Sequence, residues 1–255
     1  MEALAEESAL FFDYGANMSV PFDFPKGYIL AGKYEIVSRL GSGLEGEVYL
    51  TKECETGIER AAKFYFPNKN IRPDHLKRHA RKLFKIRNCK EIIQYHAHES
   101  LWYRKQKITC LIWDYVEGEL LATYLSRQPS KKLHYYKALH LLYAIVSALE
   151  AIHALGEYHG DLHDGNVFVK PQGMGFDVKL IDAIDWRDSP PANIRKDVCD
   201  AIRLLYDTIG GQKAYSKMPT QVKAICCGLR PSLIEKKFKN AQMLKTHMEN
   251  IVWTH

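Results

Sequence analysis

The sequence predicts an α+β protein in two parts: a β-rich first lobe holding one helix, and a mainly helical second lobe. Three observations carry this reading. Short runs rich in β-branched and aromatic residues fill 34–66 and 91–115 and enclose a glycine-rich turn. One stretch of helical period, 74–87, interrupts them. Beyond a linker near Glu117–Gly118 the apolar period turns helical, beginning with a stripe of Leu139, Leu142, Ile145, Leu149 and Ile152.

Size and composition narrow the class. A chain of 255 residues makes one large domain or two small lobes. Its 46% hydrophobic and 26% charged content excludes collagen, coiled-coil rods and wholesale disorder. No apolar run nears the roughly 18–20 residues of a membrane span. The acidic start MEALAEESALFF lacks the basic head and apolar centre of a secretory signal. The six cysteines are scattered with no CxxC pair. Free thiols in a reducing, cytoplasmic setting are therefore expected, without a zinc or redox site.

The elements follow in order. Residues 1–33 read as an N-terminal extension, whose VPFDFP stretch ends at Pro25 and packs on or beside the core. The first lobe, 34–116, opens with strands Tyr34–Leu40 and Glu47–Leu50 around the glycine turn, then Arg60–Phe66. Pro73 and Asp74 start a helix over 74–87 with apolar positions Leu76, Ala80, Leu83, Phe84 and Ile86. Glu91–His96 and Lys107–Tyr115 return to strand. In the second lobe, 117–255, a long helix Tyr135–Leu155 stops at Gly156, a fitting C-terminal cap. Val167–Val169 and Val178–Ile181 are strand-like, Asp197–Ile209 is helical, and 219–252 supply further helices.

The net charge of +6 is uneven. Residues 69–90 hold nine Lys or Arg and one acid, Asp74, so this segment is +8 and the remaining chain −2. A solvated helix face explains it. So does a docking surface for an acidic protein partner. Nucleic acid is not expected, because the segment has no repeated interleaving of aromatic residues with its charges for base stacking.

Four elements carry chemistry. Gly41-Ser42-Gly43-Leu44-Glu45-Gly46-Glu47-Val48 lies between two strands. No helix follows the last glycine, which favours a flap over phosphates rather than a dinucleotide fingerprint. Lys63 stands in a strand 17 residues after Gly46, a cation for the phosphates such a flap covers. His159-Gly160-Asp161-Leu162-His163-Asp164-Gly165-Asn166 follows the long helix. One carboxylate there can accept a hydroxyl proton, while an amide oxygen five residues on holds Mg²⁺. Lys179-Leu180-Ile181-Asp182 delivers a hard oxygen ligand at the end of an apolar strand.

In this order the four elements resemble the protein kinase family, over about residues 30–250. The resemblance implies a bilobal kinase fold that uses ATP and Mg²⁺. Gly41, Gly43 and Gly46 would cover the ATP phosphates, and Val48 and Ala61 would pack on adenine. Lys63 would pair with the α- and β-phosphates, Asp161 would be the catalytic base, and Asn166 and Asp182 would hold Mg²⁺. Residues 111–118 look like the hinge. Trp113 would guard the back of the adenine pocket, and Asp114 and Val116 would offer it backbone groups. Asp197 resembles the buried acid that braces the catalytic loop, and 226–251 the last helices of the fold.

Several positions depart from the family pattern. Gly160 replaces the arginine that contacts a phosphorylated activation loop, so control of that kind is not expected. His163 stands where a lysine follows the base, and its imidazole can still donate to the γ-phosphate. Asp182-Ala183-Ile184 keeps the metal-binding acid and loses the phenylalanine after it. Only 14 residues separate Asp182 from Asp197, with no Ala-Pro-Glu, so the activation segment is short. Lys237 stands where an arginine would pair with that glutamate. No Glu occurs from Arg60 to Lys90, and His79 takes the place of the helix glutamate that would pair with Lys63. Glu91, Asp74 or Asp182 could substitute.

Three functions compete on these residues. The first is a Ser/Thr protein kinase passing the ATP γ-phosphate to a protein hydroxyl. The second is a kinase of aminoglycosides or sugars, suggested by the HGDLHDGN string and the short activation segment; a deep acidic pocket fed by Asp185, Asp188 and Asp161 would support it. The third is a non-catalytic binding module working through the basic helix.

Overall fold

The computed structural model describes residues 21–43, 45–67, 73–183 and 190–253. Strand β1 (Ile29–Leu30) pairs with β2 (Tyr34–Ser42), β2 with β3 (Gly46–Glu53), and β3 with β4 (Glu59–Tyr65), all antiparallel. The chain then crosses through helix α1 (Pro73–Lys85) to β5 (Tyr95–Tyr103) and β6 (Gln106–Asp114). Strand β6 sits between β4 and β5, which gives the order β1-β2-β3-β4-β6-β5.

Alternation along β4 sorts two cores. Ala62, Phe64 and Phe66 face an aromatic cluster on the outer side of the sheet, with Tyr49, Ile108 and Ile112. Phe22 and Phe24 of the N-terminal stretch complete that cluster: Phe24 lies 4.8 Å from the Phe64 ring and 4.6 Å from Tyr103. Residues 21–30 thus supply part of the first lobe's own core. Ala61 and Tyr65, on the inner face, join the larger core that runs into the helical half.

That half opens with β7 (Glu119–Leu120) and α2 (Leu121–Ser126), then α3 (Tyr135–Ala154). Strands β8 (Val167–Gln172) and β9 (Gly175–Leu180) pair with each other, and β7 with β8. Helices α4 (Pro190–Thr208), α5 (Gly211–Tyr215), α6 (Thr220–Cys226), α7 (Pro231–Lys237) and α8 (Ala241–Glu249) follow. The expected stripe of α3 is buried, together with Leu141, Val146 and Ala148, because β9, α4 and α8 all pack on this helix. Its end is a Schellman turn: Gly156 has φ +70°, and the N–H groups of Gly156 and Glu157 donate to the carbonyls of His153 and Ile152. The bilobal α+β architecture is the one the sequence predicts.

Three local expectations fail for physical reasons. Glu91–Gln94 is not strand paired in the sheet. It bridges to the second half, with the Glu91 carbonyl accepting from Leu180 N–H at 2.7 Å and Ile93 N–H donating to Leu180 at 3.1 Å. Phe84 is 64% exposed instead of joining Leu83 and Ile86 in the core; the Arg87 guanidinium covers its ring at 3.9 Å. Helix α4 starts seven residues before Asp197, at Pro190-Pro191, where proline suits a first helical turn. All six cysteines are free. Among the described residues no helix is long and apolar enough to cross a membrane.

Candidate active site

A cavity of about 360 Å³ opens between the lobes. From the first lobe Gly41, Val48, Ala61, Lys63 and Trp113 line it; Asp114, Val116 and Asp182 close its far edges. Ladder registry places the first group: Val48 lies opposite Lys63 across β3 and β4, and Ala61 opposite Trp113 across β4 and β6. Trp113 is buried and held edge-on by Tyr95 at 5.7 Å and His79 at 5.8 Å. Asp114 turns its carboxylate away to Arg60. Its N–H donates to the Gln94 carbonyl at 2.9 Å, so the backbone group it can offer a ligand is its carbonyl.

Gly43 and Gly46 close the turn above the cavity, Gly43 N–H donating to the Gly46 carbonyl at 2.9 Å. Gly46 must be glycine: a Cβ there would lie 1.8 Å from the Phe64 carbonyl oxygen. Phe66 N–H donates to the Glu45 carbonyl, extending the β3–β4 ladder into the turn.

Lys63 is 14% exposed, and its ammonium pairs with Asp182 at 2.9 Å and with Glu45 at 3.2 Å. Burial pulls its pKa down. The charges of Asp182, Tyr65 and Glu45 outweigh it and raise the pKa above the ordinary lysine value, so the cation persists. Neither Asp74, whose side chain lies outside the described residues, nor Glu91 is needed to explain the pairing. Glu45 is a site residue that sequence reasoning missed: an acid between two loop glycines carries no local sign of its partner.

Residues 159–166 form a loop bonded to the strand end that carries Asp182. Asn166 Nδ2 donates to the Asp161 carbonyl at 2.8 Å and to Asp161 Oδ2 at 3.1 Å, which leaves its amide oxygen to face a cation. Ile181 ties this loop to Asp182: its N–H donates to the Asn166 carbonyl at 3.1 Å and its carbonyl accepts from His159 Nε2 at 2.8 Å. His163 Nδ1 accepts from Gly165 N–H, so its Nε2 carries the proton, 3.8 Å from Asp161 Oδ2. Below them the Asp197 carboxylate accepts from His159 N–H at 2.6 Å, Gly160 N–H at 2.8 Å and His153 Nε2 at 3.1 Å. Burial works against that charge, but the hydrogen bonds from His153 and from the Gly160 N–H hold its pKa below the ordinary aspartate value. Asp185 and Asp188 fall outside the described residues.

The donor set fits a magnesium ion completed by phosphate oxygens. Among the described residues no three His, Cys, Asp or Glu gather as a metal site. One carboxylate and one amide is the sparse protein share Mg²⁺ takes when phosphate oxygens supply the rest.

Residues 34–183 match the model of the protein kinase domain, more than half of the chain. The chain belongs to the protein kinase family. It is 30% identical over 161 residues to Serine/threonine-protein kinase pkn2 of Myxococcus xanthus, covering 62% of this chain and 18% of that protein. It is 27% identical over 163 residues to a serine/threonine-protein kinase of Arabidopsis thaliana, covering 60% of this chain and 31% of that protein. The chain therefore spans about a third or less of the length of these relatives. Among solved structures, the Mycobacterium tuberculosis PknI kinase domain aligns with a TM-score of 0.66 at 18% identity, covering 89% of this chain and 98% of that one. At that identity the likeness establishes the fold alone.

Proposed function

We propose that this kinase-family chain transfers the ATP γ-phosphate to Ser or Thr hydroxyls of a protein, with Mg²⁺, in the cytoplasm. The observation that supports the reading is that Lys63 and Asp182, paired at 2.9 Å, line the inter-lobe cavity, while Asn166, bonded to Asp161, is tied through Ile181 to the strand end that carries Asp182. Adenine would fill the slot between Val48, Ala61 and Trp113. Lys63 would hold the α- and β-phosphates. Asp161, fixed by Asn166 through Oδ2, would orient the acceptor hydroxyl with its other oxygen and take its proton. His163 would donate its Nε2–H to the transferring phosphoryl group. Asn166 and Asp182 would hold Mg²⁺, which supplies charge neutralisation on the phosphates. Catalysis here is positioning and electrostatics, the terms this arrangement is built to supply. Similarity to Ser/Thr protein kinases favours a protein acceptor over a sugar or an aminoglycoside. The exposed Arg81, Arg87 and Lys90 of the basic 69–90 segment suit an acidic protein partner.

The test is phosphate incorporation from Mg-ATP into a basic acceptor protein, and into the chain itself. Asp161→Asn and Asp182→Ala should each abolish labelling while the melting temperature holds. Equal labelling by the parent and both variants would sink the proposal.

A further inference from the structure

In the family pattern, the lysine under the glycine-rich turn is aligned by a glutamate on the first-lobe helix. Here α1 has one acid, Asp74, in its first turn, and His79 stands edge-on to Trp113. We propose that Glu45, from the glycine-rich turn itself, is the carboxylate that positions Lys63; this rests on the kinase reading above. Three observations support it. Glu45 Oε2 lies 3.2 Å from Lys63 Nζ, in a turn that offers no other acid on that side of Gly46. Lys63 has three N–H donors. One donates to Asp182 at 2.9 Å, and Glu45 pairs with the same ammonium by charge at 3.2 Å, so neither acid uses up the donors a phosphate oxygen would need. Asp182 is also the acid that would hold the metal, so Glu45 is the partner with no second duty.

The backbone makes the pairing durable although Glu45 is 62% exposed. Its carbonyl accepts from Phe66 N–H at 2.9 Å, and Gly46 sits opposite Tyr65 in the ladder. Glu45, in the turn just before β3, is thus tied to β4, the strand that carries Lys63. In the usual arrangement a helix must swing to align the lysine. Here the position of the turn and the position of Lys63 are one variable, and α1 is released from the task.

The test uses the full chain and three proteins: parent, Glu45→Gln, and Glu45→Gln with His79→Glu. In Glu45→Gln, kcat should fall about tenfold while the KM for ATP changes less than about threefold. The double variant, with an acid restored to α1, should regain most of that loss; a simple loop defect would not be rescued from the helix. Acylation of Lys63 in nucleotide-free protein, read by mass spectrometry, should rise about threefold in Glu45→Gln, the share a partly exposed ion pair contributes, and fall back in the double variant. Unchanged kcat in Glu45→Gln overturns the assignment. So does tighter ATP binding at unchanged kcat, which would make Glu45 an obstacle in the phosphate site. A double variant that melts like the parent without regaining rate overturns it as well. If the parent transfers no phosphate, the kinase reading fails, and Lys63 acylation decides on its own: a rise upholds the Glu45–Lys63 pair and no change refutes it.

Discussion

At the scale of single residues, the site turns on how little room and how few donors each position has. Gly46 has no space for a methyl group against Phe64, so Gly46→Ala must part β3 from β4 at the point where the turn leaves the sheet. The expected result is an ATP affinity weaker by about tenfold, measured by calorimetry, because the turn and Val48 shift together. His163 has a single productive donor, Nε2–H, since Nδ1 accepts from Gly165. His163→Ala should lower kcat by about tenfold with little change in the KM for ATP. His163→Lys, which keeps a donor at that position, should retain rate within about threefold; steady-state kinetics on both variants checks the pair. That Lys63 meets Asp182 and Asp161 meets Asn166 follows the spacing read from the sequence. Glu45 was not legible there, because its role depends on a turn folding back over a strand, and nothing in G-L-E-G states that.

At the scale of elements, the legible parts were those with a period. The α3 stripe, the Gly156 stop and the strands around the glycine turn all follow from alternation or helical repeat. The Pro21–Phe24 stretch has no period to read, yet it is tied to the glycine-rich turn. Phe22 N–H donates to the buried Glu47 carboxylate at 3.1 Å, and Tyr49 donates to the same oxygen at 2.8 Å. Arg39 lies 2.8 Å from the other oxygen. Burial and the Glu47 acceptor push the Tyr49 hydroxyl up to about 12, so it stays a donor. Glu47 directly follows Gly46, and this stretch therefore braces the root of the glycine-rich turn. Phe24→Ala removes a ring packed on Phe22, Tyr49, Phe64 and Tyr103. It should cost about 3 kcal/mol in urea unfolding, and the loss should appear also as a raised KM for ATP. A stability loss with an unchanged KM would separate the stretch from the turn. Phe84 errs in the opposite direction: its spacing is apolar, but the Arg87 guanidinium caps it at the surface instead of the core burying it.

At the scale of the molecule, the two lobes share one internal frame, and its chemistry sets a pH limit. Asp197 in α4 holds the backbone of His159 and Gly160 as well as His153 of α3. His153 Nδ1 in turn accepts from Ala241 N–H at the start of α8. His159 passes the constraint on to Ile181, and Leu180 passes it to Glu91 and Ile93 beside the first lobe. This frame needs His159 uncharged: Nδ1 accepts from Asp161 N–H while Nε2 donates. Burial lowers its pKa below the ordinary 6.5, helped by the cation of Lys82, against the opposing charges of Asp197 and Asp161. The unfolded chain takes up this proton near 6.5 and the folded chain only at lower pH, so unfolding gains protons and stability falls as pH drops below 6.5. Asp197 adds a second loss of the same sign at lower pH, because its folded pKa lies below the ordinary 3.8. Thermal melts from pH 8 to pH 5 should therefore show a falling midpoint, with the steepest change below 6.5. His159→Gln keeps a donor toward Ile181 but cannot titrate. Its midpoint should be lower at pH 8 and should decline less between pH 8 and 5, by one proton's share of the slope. Parallel parent and variant curves across that range would show that His159 does not carry the acid sensitivity, and the frame would then owe its pH limit to another group.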